Sequence, residues 1–292
     1  MSEGTNHEEV NACNYTNIED TTTMIRRFII LTILSLAFSA SQAYAQYEVV
    51  DTVKTRLHYL MRYHYSNESR QREEEFNLDI GTNKVLFINR WDPVKMEIGD
   101  SVKAHGGNTT DVIVAWGGYP ISSFLEDMIK NHPSKGKLSY YTNLGGKTHE
   151  YVEDIADKGW KIEEGDTVIL GYHCNKATCT FRGRTWTAWF TPEIPISEGP
   201  WKLDGLPGMI LFAEETKHQF RFECIGIKND VNKPMKTWHV KTIKSTPLKV
   251  QKLKIMEVED EEAFLKLTGF DGIRGGVVKS KQKYTACLIE RY

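Results

Sequence analysis

Residues 172–214 hold the chain's most chemically specific side chains: Cys174 and Cys179, Arg182 and Arg184, Trp186, Trp189 and Trp201, and a Gly205-Leu206-Pro207-Gly208 turn. Arginines beside an indole could bind a carboxylate, phosphate or sugar, because guanidinium offers a planar donor fork and indole a stacking face. The same residues would serve as cation–π or internal ion pairs, with Glu193 or Glu198 as partners. His173, Cys174 and Cys179 are ligands that zinc or copper accepts. A zinc site, however, places ligands two to four residues apart, and here an adjacent pair is followed by a five-residue step. No metal and no cofactor is predicted, and without C-x-x-C thiol–disulfide exchange has no support. Carboxylates that could act as acid or base abound, Asp79, Glu126, Asp127, Glu163 and Glu164 among them, yet none sits in a recognisable nucleophile or metallohydrolase context.

The elements that must carry these groups read mainly as strands. Val53, Thr55, Leu57, Tyr59, Met61, Tyr63 and Tyr65 are every second residue, with Lys54, Arg56, His58, Arg62 and His64 opposite, the pattern of a long half-buried strand. Similar signals occur at 76–80, 85–89, 112–115, 137–142, 148–153, 167–172, 180–190, 209–213, 219–227 and 237–242. Helical patterns are confined to 121–130 and to 259–267, the latter closed by Gly269. So many strands with few helices predict a mostly β fold: a large curved antiparallel sheet, an open half-barrel with one or two helices in or across its mouth. A closed barrel or sandwich is the alternative. Within 205–208, Pro207 fixes its own φ and Gly208 supplies a positive one, as in a type II turn. Its two readings are a corner that sets strand register and a rigid lip on a cavity with Leu206 exposed at the tip.

The N-terminal region reads as an export signal. Arg26 and Arg27 precede the apolar run 28–38, and Ala43-Tyr44-Ala45 supplies a small-x-small cleavage site. The apolar run falls well short of the roughly 20 residues that span a bilayer. Residues 1–23 read as a mis-annotated leader, 24–45 as a signal peptide and 46–292 as a single β-rich domain that does not span the membrane. The expected location is periplasmic or secreted. In that oxidising setting Cys174, Cys179, Cys224 and Cys287 are disulfide candidates with three possible connectivities, Cys179 to Cys224 being the pairing favoured. The formal net charge of −2 makes no case for a nucleic-acid partner. Lysines 228, 233, 236, 241, 244, 249, 252 and 254 form a basic stripe that could meet an anionic surface or simply guard a solvated edge.

A resemblance rests on particular residues: Cys174-Asn175-Lys176-Ala177-Thr178, Phe181-Arg182-Gly183-Arg184, Ala188-Trp189-Phe190-Thr191, Glu193-Ile194-Pro195, Gly199-Pro200-Trp201-Lys202 and Gly205-Leu206-Pro207-Gly208-Met209-Ile210. This run resembles the GLPGLI family, exported bacterial envelope proteins of unknown function named for the hexapeptide. Met209 is the departure within the hexapeptide, and Cys179 stands where the family often has another residue. The resemblance implies an envelope location and a β-rich mature chain; it implies no reaction.

Together these observations predict a non-enzymatic binding or accessory module whose curved sheet encloses a hydrophobic or amphipathic ligand such as a lipid, peptide or glycan. Arg182, Arg184, Trp186, Trp189, Trp201, Leu206, Pro207 and Met209 are the residues expected to line or shape that site. An accessory subunit of an outer-membrane assembly and an envelope hydrolase with a non-obvious site are the alternatives.

Overall fold

The computed structural model describes residues 47–67, 70–120, 122–238, 242–268 and 285–291. From β2 (Thr55–Tyr63) the chain walks outward through β3 (Arg72–Ile80), β4 (Val85–Asn89), β5 (Glu126–Lys130), β6 (Lys137–Leu144) and β7 (Lys147–Asp154). It then jumps to the opposite edge at β8 (Lys161–Ile169) and walks back through β9 (Tyr172–Phe181), β10 (Arg184–Thr191) and β11 (Met209–Glu215) to β12 (Phe220–Lys228), which pairs with β2. These neighbours are all antiparallel; β14 (Ile243–Lys244) adds a short parallel strand on β7. Along the sheet β7 and β8 lie ten strand spacings apart, about 48 Å if the sheet were flat. Residues 155–160 alone join them, a link that reaches at most about 25 Å. The sheet must therefore curl until its flanks approach, and Arg182 in the β9–β10 turn donates to Glu153 of β7 at 2.8 Å. Among the described residues no ladder joins β8 back to β7 or β14, so the sheet is curved and open rather than a closed barrel.

The predicted strand 53–65 is split at Lys54 into β1 (Tyr47–Val53) and β2. β1 leaves the main sheet to pair with β13 (Lys233–Trp238). On β2 the alternation holds, with Leu57, Tyr59, Met61 and Tyr63 all buried. The single strand expected at 180–190 is instead a tight hairpin: Arg182 and Gly183 take φ of 51° and 71°, and Phe181 pairs with Arg184 across the turn. Two positive φ values in succession match the right-handed strand twist.

Residues 112–115 are not a strand. They lie in α2 (Thr109–Trp116), whose N-cap Asn108 accepts from the Thr110 and Asp111 amides while Asp111 accepts from the Asn108 amide. The helix expected at 121–130 is strand β5 over its second half, and residue 121 lies outside the described residues. The strand expected at 237–242 coincides with the end of β13, and residues 239–241 also lie outside. Four helices occur among the described residues rather than one or two: α1 (Asp92–Ala104), α2, α3 (Pro247–Glu259) and α4 (Glu261–Thr268), the last close to the predicted 259–267. Gly269 and residues 1–46, which carry the leader and signal-peptide expectations, are not among those described.

Residues Val49–Tyr292 form one compact unit. The inner face of the curl gathers the main core, from Leu57, Tyr59, Phe76 and Phe87 round to Trp186, Phe220 and Phe222, and Val250, Leu253 and Phe264 of α3 and α4 pack against it. A smaller outer cluster joins Val53, Leu86, Ile88, Met96, Ile129 and Met235, so α1 and the β1–β13 ribbon cover the convex side. Residues 192–208, between β10 and β11, fold into the inner core: Trp201, Leu203 and Leu206 are buried.

Within this segment Leu206-Pro207-Gly208 is closed by the Gly208 amide donating to the Leu206 carbonyl at 2.8 Å. That is a three-residue γ-type turn and not the four-residue type II turn expected. Gly208 has φ of 149°, and a Cβ there would meet the Thr191 carbonyl oxygen at 2.1 Å. Gly205 also has positive φ, 96°, but a Cβ would come no closer than 3.9 Å to Trp160. We expect Gly208→Ala to cost about 3–5 kcal/mol, because main chain must move, and Gly205→Ala only about 1–2 kcal/mol from its backbone conformation. Urea midpoints of the two variants check this, and equal costs would refute the close approach at Gly208.

Candidate functional site

Most of the residues singled out in the sequence build the interior. Trp186 and Trp201 are 0% exposed, with ring centroids 5.7 Å apart, and Trp186 also stacks on Phe222 at 6.2 Å. Leu206 is 1% exposed, which corrects its placement at an exposed tip. Met209 is fully buried, and the Tyr59 hydroxyl beside it donates to the Ile210 carbonyl at 2.6 Å. Of the eight, Pro207 is exposed, while Trp189 and Arg182 are half-buried.

The arginines are internally paired, though not with Glu193 or Glu198. Arg182 bonds Glu153. Arg184 meets Glu215 at 3.0 Å, donates to the Leu288 carbonyl and to Gln219 Oε1, and lies 4.5 Å from the Phe220 centroid. Glu193 accepts from the His173 amide and Glu198 from Lys130. Cys174, Cys179, Cys224 and Cys287 are buried thiols, so the expected Cys179–Cys224 bond is not formed. Burial pushes the Cys179 and Cys224 thiols up to about 12, far from thiolate reactivity. Among the described residues no group of three His, Cys, Asp or Glu side chains could hold a metal.

The open space lies elsewhere. A cleft of about 870 Å³ is bounded by α3, α4, residues 287–290 and the inner face of β2, β5, β6 and β7. None of the eight predicted residues lines it. Its walls are largely apolar, with Phe124, Leu144, Val250, Phe264 and Ile289 among them. Its polar groups cluster. Lys254 of α3 bonds Glu126 Oε1 of β5 and donates to the Tyr140 hydroxyl at 2.7 Å. Tyr140 stacks on Tyr151 at 4.5 Å, and Lys202 Nζ donates to the Tyr151 hydroxyl at 3.0 Å while pairing with Glu153 and Glu290 at 2.6 and 2.5 Å. Burial, helped by Glu126, drives the Tyr140 hydroxyl well above its ordinary pKa, which suits it to hydrogen bonding rather than proton transfer near neutrality.

Alternation on β6 could have marked Tyr140 as inward-facing. In the sequence Glu126 is one acid among several, on a segment whose pattern reads as helix, and Lys254 is one lysine of the basic stripe. No local signal joins the two, since they are 128 positions apart.

Residues 180–212 match the family model described as protein of unknown function (Porph_ging), a stretch that runs from the end of β9 through the buried segment into β11. No curated protein matches the chain. Two solved structures of PNGF-II, in different space groups, are similar at 14% identity. One has a TM-score of 0.43 and covers 68% of this chain and 32% of its own; the other has 0.45, 71% and 34%. The chain thus spans about a third of the length of those proteins.

Outside the cleft, on the convex side, Asp127 of β5 faces Asp92 in the first turn of α1. Burial, then mutual repulsion and Glu126, hold the Asp127 carboxyl well above the carboxylate range, against one hydrogen bond from the Asn89 backbone. Asp92 is pushed up to about 6 by burial, with Lys95 opposing and Glu74 adding to the rise. A carboxyl whose pKa is raised on folding keeps its proton after the unfolded chain has lost it, so Asp92 lowers stability as pH rises from about 4 to about 6, and Asp127 lowers it from about pH 4 upward. We expect Asp127→Asn, which can still accept from Asn89, to raise stability near neutral pH by about 1–2 kcal/mol and to change little near pH 4. Urea midpoints at the two pH values test this; an equal gain at both would remove the repulsion argument.

Proposed function

We propose that the chain is an exported envelope protein, non-enzymatic, that holds an amphipathic ligand in the cleft between the concave sheet and the α3–α4 pair. The observation that carries the reading is the cleft itself: about 870 Å³ of open space, mostly apolar walls and one polar cluster at Glu126, Tyr140 and Lys254. Small-molecule sites have this build, with volumes of roughly 300–1,000 Å³ and a few polar groups that fix orientation. The GLPGLI resemblance and the signal-peptide pattern support export. Trp186, Trp201, Leu206 and Met209 serve this site from beneath, as the packed core on which its floor rests.

Val258 is a half-buried cleft residue of α3, so Val258→Trp narrows the space without entering the core. We expect residues 46–292 to take up the neutral dye N-phenylnaphthylamine with a fluorescence rise, and Val258→Trp to weaken that uptake at least about tenfold with an unchanged melting temperature. No uptake, or equal uptake by both proteins, would end the cleft reading.

A second reading, the accessory subunit, draws on β8, the strand that ends the sheet among the described residues. Ile162 and Val168 there are 59% and 58% exposed. An unpaired edge can accept a strand from another chain. Recovery from envelope extract of a stoichiometric outer-membrane partner that Val168→Lys releases is the expected result, and retention by that variant would exclude β8 as its seat.

A further inference from the structure

Three residues that line the cleft, Gly146, Pro247 and Leu265, are each followed in the chain by exposed side chains. Lys147 follows the first, Leu248 and Lys249 the second, and Lys266 and Leu267 the third. The fold brings these lips to one corner. A Cβ at Gly145 would meet Thr268 at 2.5 Å, and Lys147 Nζ donates to the Thr268 carbonyl at 3.0 Å, so the end of α4 rests on the β6–β7 turn. The start of α3 is tied to the same strand: Ile243 pairs with His149, and the Ser245 amide donates to the Glu150 carbonyl at 2.7 Å. Burial, then Lys249 and Lys147, hold the His149 ring below its ordinary pKa, which puts both ammonium groups near it.

Charge at this corner is one-sided. Glu150 and Glu262 take Lys244 and Lys266 at 2.6 and 2.9 Å, which leaves Lys147, Lys249 and Lys252 without a carboxylate among the described residues. Glu259, Asp260 and Glu261 stand at the other end of the helix pair, about 15 Å along α3 from Lys249. Helix stability does not ask for this arrangement. The first turn of α3 holds no acid and carries Lys249, where the helix dipole favours a negative side chain. Leu248 and Leu267, 50% and 62% exposed, meanwhile leave aliphatic surface in water. A soluble polyanion would satisfy the lysines and leave those leucines wet. An anionic bilayer satisfies both, because its acyl boundary takes the apolar groups and its phosphates face the ammonium groups.

Building on the cleft reading above, we infer that this corner docks the protein on an anionic phospholipid bilayer, with Leu248 and Leu267 inserted and Lys249 and Lys252 over the lipid phosphates. Because Gly146, Pro247 and Leu265 line the cleft and adjoin these side chains, docking sets that part of the cleft against the bilayer. An amphipathic ligand then passes between the two without crossing water. The basic stripe of the sequence is divided accordingly: Lys244, Lys249 and Lys252 fall at the corner, Lys233 pairs with Glu97 of α1, and Lys254 turns to Glu126 in the cleft.

The test is flotation of residues 46–292 with vesicles of phosphatidylcholine, alone or mixed with phosphatidylglycerol. Binding to the mixed vesicles is expected to be at least about tenfold tighter than to the neutral ones, and to weaken with added salt. Lys249→Glu with Lys252→Glu is expected to weaken it at least about tenfold, each lysine near a charged surface being worth about fivefold. The melting temperature of that variant is expected not to fall, since a negative side chain suits the first turn of α3. Leu248→Ser with Leu267→Ser is expected to weaken binding to the mixed vesicles as well. Lys228→Glu with Lys233→Glu, the same change of charge away from the corner, is expected to leave it unaltered. Equal binding to both vesicles, full binding by either corner variant, or an equal loss in the Lys228 and Lys233 variant would overturn the assignment. Binding to neither vesicle would overturn it too and leave the corner to an acidic protein partner. Uptake of N-phenylnaphthylamine without vesicles scores the cleft separately. Dye uptake with no vesicle binding removes the docking surface and keeps the cleft, whereas vesicle binding with no dye uptake removes the cleft and keeps the docking surface.

Discussion

The architecture depends on a set of buried ion pairs that fixes residues 192–208 inside the curled sheet. Lys130 of β5, 2% exposed, pairs with Glu198 and Asp204 at 2.7 and 2.8 Å. Lys158, in the short link between β7 and β8, takes the other oxygen of Asp204. Lys202 reaches Glu153 on β7 and Glu290 near the C-terminal end of the chain. Burial pulls the Lys130 ammonium down, but Asp204 and Glu198 more than offset it, and the group ends above its ordinary range. Lys158 has Asp204 against burial and the repulsion of Lys130, and it ends lower. Asp204, between two lysines, is held below the usual carboxylate range although burial alone would raise it. Desolvation of such groups cancels much of their attraction, so their contribution is position more than net stability. A hydrophobic plug could settle in several orientations; one carrying three paired lysine contacts cannot.

That constraint explains why the sequence was legible in one layer and opaque in the next. Period-two alternation identified most strands of the sheet because each has one face on a core and one facing less crowded surroundings, as in Leu57, Tyr59, Met61 and Tyr63. It failed where short apolar runs carry no decisive period. Val112 to Ala115 read as strand although Asn108 and Asp111, three positions apart, form a capping box just ahead of them. The β5 residues Met128, Ile129 and Lys130 are buried on both faces, between the inner core and the α1 layer, so their pattern does not alternate. Helix α3 was hidden by its lysines: only Val250 and Leu253 are buried, and the Thr246 N-cap followed by Pro247 was the available sign.

The candidate site was the least legible part, for a different reason. Unusual composition drew attention to residues 172–214, and the physical cause of that composition is interior packing. Tryptophans, internally paired arginines and a glycine pressed against main chain are what a segment needs to run through the middle of a curled sheet. The cleft is assembled from ordinary residues far apart in the chain. Lys254 meets Tyr140 across 114 positions and Glu126 across 128, contacts that only the folded topology creates.

The two regions are nevertheless one mechanical unit. Lys202, next to the buried Trp201, holds the Tyr151 hydroxyl and lies 4.8 Å from the centre of the Tyr140 ring. Lys254 sits over the same Tyr140 ring at 5.3 Å and bonds its hydroxyl. One tyrosine pair therefore connects an ammonium from the plug with an ammonium from the helix that walls the cleft. Moving the plug would tilt the Tyr140–Tyr151 stack and with it the anchor of Lys254 on Glu126. The segment that stands out in the sequence shapes the cleft floor without lining it, so substitutions there alter the cleft through the positions of Tyr140, Tyr151 and Glu290. Shape is set by the residues the sequence advertises, and chemistry by those it does not.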